Sequence, residues 1–171
     1  TGSQISDAKP EKTVNYEIGT KWQLLQQKLL ATAALFRTIK SDVQEGTGYT
    51  TTGSINTGKN QVQGVEFSLV GNFTPKLSTQ VAVTLMDSEI LESFTATNKG
   101  LQLSNFARKQ ANAQFKYQFT PVFALGGAAT YQSEMYAGQP DSAAGYDFTD
   151  SRYSMVVPAY TVFDAFAEYK F

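Results

Sequence analysis

Cysteine and histidine are both missing from these 171 residues. Without cysteine there is no disulfide framework, and without either residue the Cys/His metal centres and any histidine-based triad are excluded. An excess of one charge is lacking too. Fourteen Lys and Arg stand against 15 Asp and Glu, a net charge of −1, which leaves no electrostatic footprint for nucleic acid. No apolar run approaches the roughly 18 residues expected of a spanning helix. Thr1-Gly2-Ser3-Gln4 carries no initiator methionine, basic n-region or apolar h-region, so it does not read as a signal peptide. The chain is therefore expected to begin partway through a longer protein.

What is present is aromatic residues, 12 Phe and 9 Tyr, and a period of two. Counting back from Phe171 in twos gives Tyr169, Ala167, Ala165, Phe163 and Thr161, none of them charged. The opposite phase, Lys170, Glu168, Phe166, Asp164 and Val162, holds every charge of the segment. Alternate side chains of a strand point to opposite faces, so this strand has one apolar face and one mostly polar face. An aromatic end on such a strand suits an apolar face that meets lipid, with aromatic residues at the membrane–water interface.

The same alternation recurs along the chain. Val14, Tyr16, Ile18, Thr20, Trp22 and Leu24 share a phase, as do Val65, Phe67 and Leu69, and then Leu77, Thr79, Val81, Val83 and Leu85. Ala111, Ala113, Phe115, Tyr117 and Phe119 oppose Arg108, Gln110, Asn112, Gln114, Lys116 and Gln118, and Phe123, Leu125, Gly127, Ala129 and Tyr131 follow. Leu29 to Lys40 is rich in Leu and Ala, and its propensity alone also permits a helix. Seven strands are thus predicted, joined in strict alternation by short turns near residues 27, 75 and 121 and long polar loops at about 41–59, 87–105 and 133–158. Phe73-Thr74-Pro75 returns as Phe119-Thr120-Pro121. Short turns at one end and long loops at the other predict an all-β chain, a transmembrane antiparallel β-barrel. Single-chain bacterial barrels have even strand numbers and no open edge, so an odd count implies a strand partner outside this chain. Two rival architectures are a passive porin-like or small OmpA-type barrel and a soluble lipocalin-like binder, whose apolar face would line the lumen.

Several stretches carry a more specific likeness: Lys9-Pro10-Glu11-Lys12 leading into Asn15-Tyr16-Glu17-Ile18-Gly19-Thr20-Lys21, Ala33-Ala34-Leu35-Phe36-Arg37, Gln63-Gly64-Val65-Glu66, Leu85-Met86-Asp87-Ser88 and the aromatic-ended last strand. In this order and spacing they resemble the C-terminal barrel portion of TonB-dependent siderophore receptors of the bacterial outer membrane. The resemblance implies the last seven or so strands of a plugged barrel of about 22. Residues 1–10 would be an extracellular loop tail and 11–171 the C-terminal part of the barrel, the N-terminal plug and TonB box lying outside this chain. It implies a multi-pass outer-membrane receptor, not an enzyme, that imports a ferric siderophore with energy from TonB. The implied partners are the ferric siderophore, the plug and earlier strands of the same receptor, TonB and outer-membrane lipid. No covalently bound cofactor is implied. It also makes Phe171, with Tyr169 and Phe163, the outer-membrane assembly signal.

Other motifs have simpler readings. Gly53-Ser54-Ile55-Asn56-Thr57-Gly58-Lys59-Asn60 approaches a phosphate-binding loop but ends on Asn where a metal-binding hydroxyl is required, so it reads as a glycine-rich loop. Asp87, Glu89 and Glu92 read as a solvated strand end rather than a catalytic set. Asp147 and Asp150 offer too few oxygen donors for calcium. The amide row of the fifth strand should face a wet lumen or plug, with direct ligand contact confined to the loop end near Phe106 and Arg108. The ligand-binding candidates are the loop aromatics Tyr49, Phe94, Tyr136, Tyr146, Phe148 and Tyr153, because aromatic rings offer large contact area at little entropic cost to a planar iron chelate.

Overall fold

The computed structural model describes residues 9–45 and 55–171. Seven long strands form one antiparallel sheet: β1 (Lys12–Leu24), β2 (Leu29–Glu45), β3 (Ile55–Thr74), β4 (Leu77–Glu92), β5 (Lys109–Thr120), β6 (Phe123–Gln132) and β11 (Tyr160–Tyr169). Each pairs with the next in chain order, so the sheet is a simple meander in which β1 and β11 have one neighbour apiece. Four two-residue strands lie in the last loop: β7 (Met135–Tyr136), β8 (Tyr146–Asp147), β9 (Arg152–Tyr153) and β10 (Val156–Val157). Leu29–Lys40 is strand, not helix. It is hydrogen-bonded to β1 on one side and β3 on the other, and two ladders outweigh a weak helical propensity.

Directly opposed residues of antiparallel strands share a face, so the register sorts every side chain. One row runs Thr20–Ala33–Phe67–Val83–Ala111–Tyr131–Thr161, and the next Ile18–Leu35–Val65–Leu85–Lys109. The opposite face carries Lys21, Thr32, Ser68, Ala82, Asn112, Thr130 and Val162 in one such row. The large apolar side chains of the first face lie bare: Ile18 is 72% exposed, Leu35 56% and Phe163 77%. An apolar outer face and a polar inner one are the arrangement of a membrane barrel and the reverse of a lipocalin-like binder. The inner face is knitted by polar contacts, including Thr32 Oγ1 to Ser68 Oγ at 2.6 Å and Lys116 Nζ to Glu168 at 3.1 Å. Phe166 is a large apolar residue on that face. Its ring lies over Gly126, where a Cβ would stand 2.2 Å from it, so the glycine makes room for the ring.

The strands run further than their apolar stretches. β2 continues to Glu45, β3 begins at Ile55 and β4 ends at Glu92, which corrects the loops expected at 41–59 and from Asp87. Beyond the Leu35–Val65–Leu85 row the same outer phase turns polar as Arg37, Gln63 and Asp87, while the pairing goes on unbroken. Backbone groups pair regardless of side-chain polarity, so the belt records the thickness of lipid and not the length of the sheet. A bulge at Asp42, with φ of 57°, turns Val43 inward, where it is 1% exposed. At the short-turn end the repeated Phe-Thr-Pro acts through its threonine. Thr74 Oγ1 accepts from the N–H groups of Lys76 and Leu77 at 3.2 and 3.0 Å, and Thr120 Oγ1 from that of Phe123 at 3.1 Å.

A charge on the outer face should therefore cost far more than one on the inner face. Leu69→Lys is expected to destabilise the bilayer-embedded barrel by about 2–4 kcal/mol, and Gln80→Lys by less than about 1 kcal/mol. Denaturant unfolding in lipid checks both.

Candidate functional site

The long-loop end is held by hydrogen bonds between segments far apart in sequence. After β4 the chain folds back on itself: Ile90 donates to Leu101 O and Gly100 to Ile90 O, both at 2.9 Å, around a 3-10 turn at Ala96–Asn98. The following residues pair with the last loop, Leu103 opposing Ala143, with Ser104 N to Ser142 O at 2.9 Å and Ala144 N to Gln102 O at 2.8 Å. Val43, Ile90, Leu103, Ala107 and Ala144 are all buried, and they form a small apolar core above the membrane belt. Around it Asn60, Ser88 and Ser104 are buried too. Asn60 and Ser104 donate to the carbonyls of Asp141 and Ala143, and the Ser88 hydroxyl accepts from Leu103 N–H.

The last loop then crosses the inner face to the other side of the sheet. Asp141 meets Lys40 of β2 at 2.7 Å, Lys40 meets Glu11 at 2.7 Å, and Asn60 of β3 donates to Asp141 O at 2.8 Å. Lys40 stands past the Leu35 row, beyond the membrane belt. Its hydrogen bond holds the Glu11 carboxyl below the usual carboxylate range, against the opposing pull of desolvation and with help from the Gln44 N–H. These residues were invisible as a group in the sequence, since Lys40 and Asp141 are separated by 101 positions.

Four of the six aromatic candidates come together. Tyr136 stacks on Tyr153 with centroids 4.3 Å apart, Tyr146 meets Tyr153 edge-on at 4.9 Å, and Phe148 meets Tyr146 edge-on at 4.9 Å. The β8–β9 hairpin sets Tyr146 opposite Tyr153, and the Tyr153 hydroxyl accepts from Gln102 N–H at 2.9 Å. Desolvation, then the charge of Glu134, raises the Tyr136 pKa, so its phenol stays a neutral donor, 3.5 Å from the Glu134 carboxylate. Phe94 stands apart, 66% exposed, its N–H donating to Glu45 Oε2 at 2.7 Å. Tyr49 lies outside the described residues, as do Gly53 and Ser54 of the glycine-rich stretch.

The acidic residues are dispersed. Asp87 pairs with Arg108 at 3.1 Å and Glu92 with Lys59 at 3.3 Å. Asp147 Oδ1 accepts from the N–H groups of Thr149 and Asp150 at 2.8 and 3.2 Å, and Asp150 pairs with Arg152 at 2.8 Å. Among the described residues no three Asp or Glu side chains gather as a metal site would require. Arg108 departs from its expected place on the amide face. It precedes β5 and turns to Asp87, which stands in the outer phase.

Residues 1–171 match the family model for the TonB dependent receptor-like β-barrel. The chain belongs to this family. TonB-dependent receptors are outer-membrane β-barrel transporters rather than enzymes, and the match supports this reading over a passive porin-like barrel. The chain is 34% identical over 167 residues to the probable TonB-dependent receptor BfrD of Bordetella pertussis, covering 95% of this chain and 21% of that protein. It is 33% identical over 147 residues to the catecholate siderophore receptor Fiu of Escherichia coli, covering 85% of this chain and 19% of that receptor. The crystal structure of the siderophore receptor PiuA from Acinetobacter baumannii superimposes with a TM-score of 0.75 at 29% identity, covering 94% of this chain and 22% of that one. The chain thus spans about a fifth of the length of the TonB-dependent receptors it matches.

The ion-pair network has a definite pH response. The depressed Glu11 carboxyl stabilises the folded loops above its unfolded pKa of about 4.3, and this contribution is lost as pH falls through its lower folded value. Hydrogen exchange of residues 133–158 is expected to be flat in protection between about pH 5 and 8, and Asp141→Asn should lower protection throughout that range.

Proposed function

We propose that this chain is the C-terminal barrel segment of an outer-membrane receptor that imports a ferric siderophore with energy from TonB. The observation that carries this reading is the aromatic cluster Tyr136–Tyr146–Phe148–Tyr153, set in a loop that is zipped to its neighbour and tied to β2 and β3. Such a loop presents large ring area at the long-loop end of the sheet, which suits a planar ferric chelate. Relatives named as siderophore receptors, PiuA and Fiu among them, support the same substrate class, and the name of Fiu makes catecholates the first class to try. Phe94, exposed on the neighbouring loop, and Tyr49 complete the ligand-facing candidates. The ligand is carried as cargo, and no covalently bound cofactor is required.

In this reading residues 1–10 are an extracellular loop tail and 11–171 are barrel, closed by earlier strands and plugged by an N-terminal domain of the same receptor that engages TonB. Lys9 exchanges two hydrogen bonds with Asn56 at the foot of β3, at 2.9 and 3.0 Å, which supports placing the tail at the loop end. Tyr169, in the outer phase of β11, and Phe171, just beyond the strand, meet edge-on at 5.3 Å, and with Phe163 they form the proposed assembly signal.

Two measurements test this. Tyr146→Ala with Tyr153→Ala should weaken ferric-siderophore binding by about tenfold or more at normal surface abundance, each buried ring contact contributing about 1 kcal/mol. Unchanged affinity removes the cluster as the binding surface. Deleting Phe171 should lower the amount of receptor in the outer membrane while leaving the affinity of the assembled fraction intact, as read by surface labelling and ligand titration.

A further inference from the structure

The turn at residues 139–142 is the point at which the last loop reaches across the inner face. It is tight: the N–H and Oγ of Ser142 donate to Gln139 O at 3.3 and 2.7 Å, and Asp141 takes a φ of 60°. Asp141 uses two oxygens. Its Oδ2 accepts from Lys40 Nζ at 2.7 Å and its carbonyl accepts from Asn60 Nδ2 at 2.8 Å. Lys40 and Asn60 stand directly opposite each other in the β2–β3 register, on the inner face. Asn60 is only 4% exposed, so its amide is a fixed donor rather than a free surface group. Desolvation works against the Lys40 charge, but hydrogen bonds to Asp141 and Glu11 more than offset it and hold its pKa above the ordinary lysine value. The inner wall thus carries a cation and a buried amide side by side, and one residue of the same chain sits on both.

We propose that Lys40 and Asn60 form a seat for an anionic oxygen group of the incoming ligand, and that Asp141 fills it as an internal stand-in until the ligand displaces it. The proposal rests on the reading of this chain as part of a ferric-chelate receptor, and it adds the charge class of the cargo. The donors suit such an exchange. An ammonium beside an amide N–H takes the paired oxygens of a carboxylate or a catecholate as readily as those of Asp141. The charges suit it too. Glu11 stays on Lys40 at 2.7 Å, with Gln44 N–H at 3.2 Å in support, so one anionic group can replace Asp141 charge for charge. A single partly exposed ion pair is weak enough to be exchanged. The mechanics also allow it, because the residues on either side of the turn are anchored separately. Asn105 donates from its N–H to Tyr136 O and from Nδ2 to Gly138 O, both at 2.8 Å, and Ala144 N–H donates to Gln102 O at 2.8 Å. Lifting the turn therefore breaks the bonds to Lys40 and Asn60 while the aromatic cluster keeps its place.

The test uses the complete receptor in lipid nanodiscs, with a fluorine label on Gln139→Cys, an exposed position, whose resonance reports whether the turn is seated. An anionic ferric tris-catecholate, a neutral ferric tris-hydroxamate and iron-free oxalate are titrated in turn at constant ionic strength. Oxalate and the tris-catecholate are expected to move the label of the otherwise wild-type receptor to the lifted state, and the tris-hydroxamate to leave it seated. Asp141→Ala should show the lifted state without any anion and bind the tris-catecholate about threefold to tenfold more tightly, since the competing occupant is gone. Lys40→Gln should bind it about tenfold more weakly, and Lys40→Arg should recover most of that loss. A tie that only holds the loop in shape would make Asp141→Ala weaken binding as Lys40→Gln does. That result, or unchanged affinity in either variant, overturns the seat. A label unmoved by saturating oxalate and tris-catecholate overturns it as well. Binding of neither chelate to any of these receptors counts against the ferric cargo, and the response of the label to oxalate then decides the seat by itself.

Discussion

Everything in this chain depends on the hydrogen-bond ladder of the sheet. In a hydrocarbon layer an unpaired backbone N–H or C=O costs several kcal/mol, and no water is at hand to relieve it. The seven long strands meet this constraint by pairing in chain order, each with the next. Once the ladder is continuous, the side chains are free to serve two solvents. Ile18, Leu35 and Phe163 stand bare on one face, and Thr32, Ser68, Lys116 and Glu168 are joined by polar contacts on the other.

The two ends of the sheet solve opposite problems. At the short-turn end threonine hydroxyls of the repeated Phe-Thr-Pro satisfy the first backbone donors after the turn, and little else is needed. At the other end the strands outrun the lipid belt and carry a small second core of Val43, Ile90, Leu103, Ala107 and Ala144. That core gives the loops a platform, and the contact of Asp141 with Lys40 ties the last loop back across it. The pair is part-buried, with Lys40 25% and Asp141 43% exposed, and a single such pair is individually weak.

The candidate site was legible in the sequence as a set of aromatic residues in long polar loops, and the structure adds their relations. Tyr146 and Tyr153 were seven positions apart in an irregular stretch, and only the β8–β9 pairing sets them opposite one another. Phe94 was grouped with them by composition, but it sits on a separate loop held by Glu45. Arg108 was assigned by strict alternation to the amide face, and its position just before β5 released it to pair with Asp87 on the outer phase. Alternation is a property of regular strand, and Arg108 stands at its edge, its carbonyl still accepting from Met86 N–H at 2.9 Å.

The sequence by itself determined the number of long strands, the face of residues in the plainly alternating stretches and the alternation of short turns with long loops. Those follow from a period of two and from local turn chemistry, which are written in neighbouring residues. It also carried the family likeness in short ordered stretches. Tertiary structure decided how far the strands extend past the belt, because polar residues pair their backbones as well as apolar ones do. It alone brought Lys40 to Asp141, zipped Leu103 to Ala143 and set Tyr146 against Tyr153. Those contacts join separate strands and loops, and only the folded register sets their distance.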